Sequence, residues 1–346
     1  MKKILVALSG GLDSAAAALI LYERGYRVTA VTFDLNGDAE GVEATRALAE
    51  RLKIPLLVED VRPEFQREVR QYFIDGYLRG ETPAPCSVCN PRVKWETLRR
   101  VADREGIRSI ATGHYVRIAE KNGLHYVREG IDPVKDQSYY LWNLSQDILK
   151  RAVAPLGDFT KAQVRELMTL WGFADLAAKK ESMGVCFLDQ TGYAGFLRKN
   201  VPGIDRLDGG EVADTAGNRI GTHAGYPFYT VGQKRGFTLD DPQQERYVLE
   251  IDAENNRLIT GEIDHLYTDT LRVKNARIID SEEFFAARNL RIKIRGLGIN
   301  PEGFCSVAAE GGGLVARIPS KAYAPAPGQP VVFYIDDRVA GGGILV

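Results

Sequence analysis

The sequence predicts an α/β protein: a doubly wound parallel sheet at the N-terminus, followed by a small central β-containing domain and a C-terminal β-barrel-like domain. Three observations carry this expectation. Short apolar runs alternate with helical patterns through the first half of the 346 residues. Near Asn200, in KNVPGIDRLDGGEV, the texture changes to glycine, proline and aspartate turns between short strands. Beyond His265, apolar runs recur at the spacing of an all-β module. The expected domains are therefore 1–200, 201–265 and 266–346.

Taken in order, KILVAL, YRVTAVTFD (Tyr26 to Asp34), IPLLVEDV (Ile54 to Val61) and IRSIATGHY (Ile107 to Tyr115) read as strands. EGVEATRALAERL, between the second and third, has helical spacing with charged faces. Apolar strands separated by helices mean βαβ units and a parallel sheet buried on both sides. In the last third, RLITG, LRVKNARII, LRIKIRG, GGLVARI and QPVVFYI are the expected strands. YTVGQKRGF and YVLEID mark the small central unit.

Composition sets limits. With 45% hydrophobic, 26% charged and 9% aromatic residues and no low-complexity tract, the chain is globular rather than disordered. A formal net charge of −1 gives no overall field for a polyanion, so any nucleic-acid contact comes from local basic patches. Gly10, Gly11 and Asp13 interrupt the first apolar run before it reaches signal-peptide length, and no run approaches a membrane span. A cytoplasmic protein without membrane contact is expected, its four cysteines, Cys86, Cys89, Cys186 and Cys305, reduced unless catalytic or metal-binding.

The first chemistry-bearing stretch is SGGLDS, Ser9 to Ser14, which follows the first strand and opens an alanine-rich helix. In a parallel sheet such a turn lies where ligands bind, and glycines let backbone N–H groups approach phosphate. Ser9 and Ser14 add hydroxyl donors. Asp13 would repel phosphates unless a divalent cation intervenes, which points to magnesium. The bland alternative is a tight turn in which Asp13 only caps the helix. The loop lacks the lysine of a P-loop, and no G-x-G-x-x-G follows a strand. It resembles the S-G-G-x-D-S pyrophosphate loop (PP-loop) of ATP pyrophosphatases, which adenylate an oxygen and expel pyrophosphate before a nucleophile displaces AMP.

Two cysteine motifs narrow that class. TPAPCSVCNPRVKW (Thr82 to Trp95) places Cys89 just before an expected helix at NPRVKW, beside Arg92 and Lys94, a setting that favours thiolate. Cys186 lies in ESMGVCFLD. Buried structural cysteine is the plain alternative for each, and the one adopted for Cys305. Together with ATGHY, KDQSYYL, YTVGQKRG, APGQPVVFY and the terminal GGGI, these motifs resemble the tRNA-specific 2-thiouridylases, the MnmA/TrmU family, in order along essentially the whole chain.

The resemblance implies ATP-dependent 2-thiolation of the wobble uridine of tRNA, with 1–200 as ATP-binding and catalytic domain and 266–346 as tRNA-binding barrel. It assigns ATP to Ala7, Leu8, Ser9, Gly10, Gly11, Leu12, Asp13, Ser14, Phe33 and Gly113, with magnesium at Asp13. Cys186 matches the persulfide carrier and Cys89 the thiol that releases the sulfur or closes a disulfide. Ala84, Pro85 and Cys86 match positions facing the target base. His114, Lys135, Asp136, Gln137, Arg295, Gly296 and Gln329 match positions that contact tRNA. From the residues alone, without the rest of the pattern, His114 reads sooner as a cap at the sheet end and KDQSYYL as a surface helix start. Arg291, Lys293 and Arg295 alternate in NLRIKIRG, so one strand face is basic; it reads as an RNA surface or a solvated face.

Many family members carry T-P-N-P-D-x-x-C-N, where this chain has Ala84 and Cys86. The substitution puts in doubt a general-base role for that aspartate. It also creates a C-x-x-C pair that, with Cys186, would supply three ligands to a [4Fe–4S] cluster as in related thiolases. Two other readings stand beside tRNA thiolation: an ATP pyrophosphatase forming an amide or guanidine, and a nucleotide-regulated RNA-binding or sulfur-carrier protein without turnover. A thiolase would also need a sulfur donor such as a cysteine desulfurase or sulfur relay protein.

Overall fold

Ile4, Leu5 and Val6 have no solvent exposure, and a run buried on both faces is what strand β1 (Lys3–Ala7) at the middle of a parallel sheet requires. In the computed structural model, which describes residues 1–180, 184–296 and 298–346, β1 pairs in parallel with β2 (Arg27–Asp34) on one side and, after β3 (Leu56–Asp60), with β4 (Ser109–Ala111) on the other. β5 (Val116–Lys121) and β6 (Leu124–Glu129) form an antiparallel hairpin outside this sheet. The parallel sheet has the order β3-β2-β1-β4-β7, with β7 at Ala152–Val153. Its switch point is therefore the C-terminal end of β1, where the Ser9–Ser14 loop sits.

Helix α1 (Leu12–Glu23) packs close to the sheet because Ala15, Ala16, Ala17 and Ala18 are fully buried and add little bulk. They share a core with Ile4 and Val6 of β1 and with Leu48 of α2 (Ala39–Arg51). Leu5 points to the other face, where α3 (Trp95–Arg104) packs on β1 and β4. Helices thus cover both faces, as the sequence predicts. α1 ends where Gly25 takes φ +81 and donates to the carbonyl of Tyr22, while Arg24 donates to Ile20. Helix α4 (Lys161–Leu170) returns to the same core through Val164 and Met168, and a capping box between Thr160 and Gln163 fixes its start.

By compactness the chain divides into two units, Met1–Val69 with Cys86–Met183 and Asp337–Gly341, and Arg70–Pro85 with Gly184–Asp336 and Gly342–Val346. The second unit holds a sheet of order β10-β9-β8-β12-β11, built from β8 (Gly210–Ala213), β9 (Arg219–His223), β10 (Phe237–Leu239), β11 (Tyr247–Asp252) and β12 (Arg257–Gly261). β8 runs parallel to β12, and the other pairs are antiparallel. The C-terminal strands β13 (Tyr267–Ile278), β14 (Leu290–Lys293), β15 (Ser306–Glu310), β16 (Gly313–Tyr323), β17 (Pro330–Ile335) and β18 (Arg338–Leu345) follow the order β14-β17-β18-β13-β16-β15 as a barrel-like sheet. Every side chain of β17 is buried. Phe73 and Tyr77, from the early helix Gln71–Leu78, lie in the aromatic core of this second unit with Phe196 and Phe228.

Among the described residues no helix is long and apolar enough to cross a membrane.

Candidate active site

A cleft of about 400 Å³ opens beyond the ends of β1, β2 and β4. Ala7, Leu8, Ser9, Asp13 and Ser14 line it from the loop, Phe33 from β2, and Gly113 from the segment after β4; Gly10, Gly11 and Leu12 do not line it. Gly10 has a different task. Its φ is +73, and a Cβ there would lie 2.8 Å from Thr45 Oγ1. Gly11, at φ −97, would bring a Cβ no nearer than 3.7 Å to Ser9 Oγ. Leu12 turns into the α1 core. Ser14 closes the loop, donating from its hydroxyl to the Gly11 carbonyl at 3.0 Å and accepting the Ser9 N–H at 3.1 Å.

Asp13 already has a cation. Lys161 Nζ donates to its two carboxylate oxygens at 2.7 and 2.8 Å, and the Tyr115 hydroxyl donates to Oδ1 at 2.8 Å. Neither partner was singled out in the sequence. Tyr115 ends the ATGHY motif, and the signal for Lys161 is TKAQ, a capping box with lysine as first helical residue. A carboxylate offers about four lone-pair sites. These three hydrogen bonds use two sites on Oδ1 and one on Oδ2, leaving the second site of Oδ2 open. The cleft also carries Asp34, Asp38 and Lys94, which makes its lining three carboxylates against one ammonium. Magnesium is commonly held by one or two carboxylates together with substrate phosphates, and this acidic lining fits that donor set. Among the described residues no group of three or more His, Cys, Asp and Glu side chains is placed to hold a metal ion.

His114 lines the same cleft, stacked on Trp95 with ring centroids 6.1 Å apart. Its Nδ1 shares a 2.7 Å hydrogen bond with Thr112 Oγ1. Burial, reinforced by the Lys94 charge, pushes its pKa down from 6.5 to about 3, so the ring is neutral at physiological pH. Gln137 accepts the Tyr115 N–H at 3.0 Å and also lines the cleft. Asp136 and Lys135 do not. The Asp136 carboxylate is turned into the fold, where it accepts from Gly130 N, Ser138 N and Ser138 Oγ. The Lys135 N–H donates to the Asp132 carbonyl.

The chain matches the family described as the tRNA methyl transferase HUP domain over residues 2–190, the tRNA methyl transferase PRC-barrel domain over 196–262 and the aminomethyltransferase beta-barrel domain over 268–345. It is 41% identical over 348 residues to the tRNA-specific 2-thiouridylase MnmA 2 of Phocaeicola vulgatus, covering 99% of this chain and 98% of that one. The chain belongs to the MnmA family of tRNA-specific 2-thiouridylases. MnmA 1 of Bacteroides fragilis is 39% identical over 357 residues and MnmA of Chlorobium luteolum 38% over 354, each covering 99% of this chain and 97% and 96% of the relative. Among solved structures, a 4-thiouridine synthetase–RNA complex with bound ATP gives a TM-score of 0.38 at 20% identity over 54% of this chain and 45% of that one, too distant to bear on chemistry.

The four cysteines sit in contrasting settings. Cys186 is exposed, and the neighbouring Phe187 is anchored edge-on against Phe73 at 5.2 Å. Glu181, Ser182 and Met183 of its motif lie outside the described residues. Cys89 is buried and Cys86 half-buried. The expected helix start at Asn90 is corrected: the chain is already helical at Pro85–Cys89, passes through a π-helical turn at Asn90–Lys94 and continues as α3. Proline suits a first helical position, so the helix opens at Pro85; Pro91 cannot donate to the turn behind it, and the wider π turn absorbs the loss. The residue near the helix N-terminus is therefore Cys86, with Cys89 a turn inside. Cys305 is buried, and burial pushes its thiol up to about 12, leaving it inert.

In the second unit, Ala84 is buried beside Pro85 in sequence. Arg295 donates to the carbonyls of Tyr323 and Ala324 at 2.8 and 2.7 Å, and Gly296 follows it in a bend. Gln329 donates to the Thr82 carbonyl at 2.6 Å. β14 stops at Lys293, so the basic strand face holds Arg291 and Lys293, both over the Tyr334 ring, and Arg295 lies beyond it over Tyr323.

Proposed function

We propose that this chain catalyses ATP-dependent 2-thiolation of the wobble uridine in tRNA. The observation that carries the reading is the acidic cleft at the switch point, closed by the Ser9–Ser14 loop and Gly113, in a chain of the 2-thiouridylase family. The loop and Asp13 bind the ATP phosphates, and Phe33 and Gly113 border the nucleoside. Bound magnesium supplies charge neutralisation to the phosphates; Asp13 is the residue that would hold it. The uridine carbon 2 oxygen attacks the α-phosphorus and pyrophosphate leaves, which makes that oxygen part of AMP, a good leaving group.

Cys186, exposed, carries the persulfide received from a cysteine desulfurase or sulfur relay protein. Its terminal sulfur attacks carbon 2 and AMP departs. The Cys89 thiolate then attacks the Cys186 sulfur, breaking the S–S bond, leaving sulfur on the base and closing a Cys89–Cys186 disulfide that a thiol reductant reopens. Ala84, Pro85 and Cys86 border the base. His114, Lys135, Gln137, Arg295, Gly296 and Gln329 belong to the tRNA-contact set, and Asp136 supports it from inside the 130–138 turn.

Asp13→Asn should abolish tRNA-dependent pyrophosphate release while tRNA affinity stays near wild type. Pyrophosphate release without need of unmodified tRNA would instead indicate an amide- or guanidine-forming enzyme. No release at all by wild type would indicate a carrier or RNA-binding protein.

A further inference from the structure

Lys161 is nine-tenths buried and Asp13 about one-third exposed, and the carboxylate lines the cleft whereas the lysine does not. The carboxylate thus stands between the ammonium and the place where phosphates would lie. Lys161 is held at its root as well. It is the first residue of α4, behind the Thr160–Gln163 capping box, and its own N–H donates to Asp132 Oδ2 at 2.9 Å. Tyr115 gives Asp13 a second, uncharged anchor.

Resting on the proposed ATP chemistry, we infer that Lys161 is a positioning residue for the phosphate loop: it neutralises Asp13 from behind and, with Tyr115, aims the free lone pair of Oδ2 into the cleft. Two consequences follow from electrostatics. With the pair intact, the loop presents little net charge to an incoming polyphosphate, so ATP is tolerated even before a metal is bound. The ammonium also withdraws part of the carboxylate's charge from a divalent cation, so the site takes magnesium with its nucleotide rather than alone. A lysine that itself gripped phosphate would line the cleft.

The test is calorimetric titration of ATP into the full chain, with magnesium and with a chelator, and of magnesium alone, for wild type, Lys161→Met, Lys161→Arg and Asp13→Asn/Lys161→Met. Lys161→Met bares the Asp13 charge. It should weaken metal-free ATP on the order of tenfold while magnesium alone binds more tightly than to wild type. Lys161→Arg should restore both values, and the double variant, which removes both charges, should regain metal-free ATP binding. A fold defect would lower every affinity together. Equal losses of ATP affinity with and without magnesium, or no change in either, would overturn the inference. Wild type that bound no ATP under any condition would overturn the functional reading and this inference with it.

Discussion

Gly113 backs directly onto Asp13: a Cβ at position 113 would lie 2.8 Å from the Asp13 carbonyl carbon and 2.9 Å from its oxygen and from Ser14 N. These are backbone atoms with no rotamer to yield. Gly113→Ala should push the loop out of register, costing about 1–3 kcal/mol of stability and most of the ATP affinity. Gly11→Ala, whose Cβ meets only Ser9 Oγ at 3.7 Å, should leave stability near wild type. Thermal melts and ATP titrations of the two variants check the contrast.

His114 should be silent in the physiological range. Its folded pKa lies near 3 against 6.5 unfolded, so above pH 6.5 both states are neutral and the group has no effect. As pH falls below 6.5 the unfolded chain gains a proton that the folded one refuses, and stability is lost progressively toward pH 3. His114→Gln should flatten that acid limb, and the His114 ring signals in NMR should not titrate between pH 5 and 8.

Arg295 and the Arg291–Lys293 pair should part company. Arg295→Ala leaves the carbonyls of Tyr323 and Ala324 without this donor, so melting temperature should fall along with tRNA affinity. Arg291→Ala with Lys293→Ala should melt near wild type but weaken tRNA binding and lower the slope of log affinity against log salt by up to about 2. An unchanged slope would return those two to a solvated surface.

The cysteines discriminate two sulfur chemistries. On the persulfide route Cys86→Ser keeps partial activity, whereas Cys89→Ser and Cys186→Ser lose tRNA thiolation entirely. On a cluster route all three hold iron and each substitution costs bound iron and activity alike. Anaerobic preparation, with iron and acid-labile sulfide measured beside thiolation, separates them; stoichiometric cluster in active wild type with Cys86→Ser inactive would overturn the persulfide assignment.

Much of this protein is local in sequence. The parallel strands, the switch-point loop and the barrel strands are written as runs and turns of neighbouring residues, because backbone propensity and burial period act over a few positions. SGGLDS announced a strand-to-helix ligand turn for the same reason. What tertiary structure decided is whatever joins distant positions. Lys161 reaches Asp13 across 148 residues, and nothing in TKAQVREL indicates which carboxylate its ammonium will meet. Gly113 is obligatory only because α1 lies against it. The helix at Gln71–Leu78 joins the core of the second unit because Phe73 and Tyr77 find their apolar partners there. Asp136 and Arg295, polar in the sequence, hydrogen-bond backbone groups far along the chain or across a turn, since a buried N–H or carbonyl must be paired by whichever side chain the topology brings near. Local pattern thus determined the elements and the class of chemistry; long-range packing chose the partners of each charge.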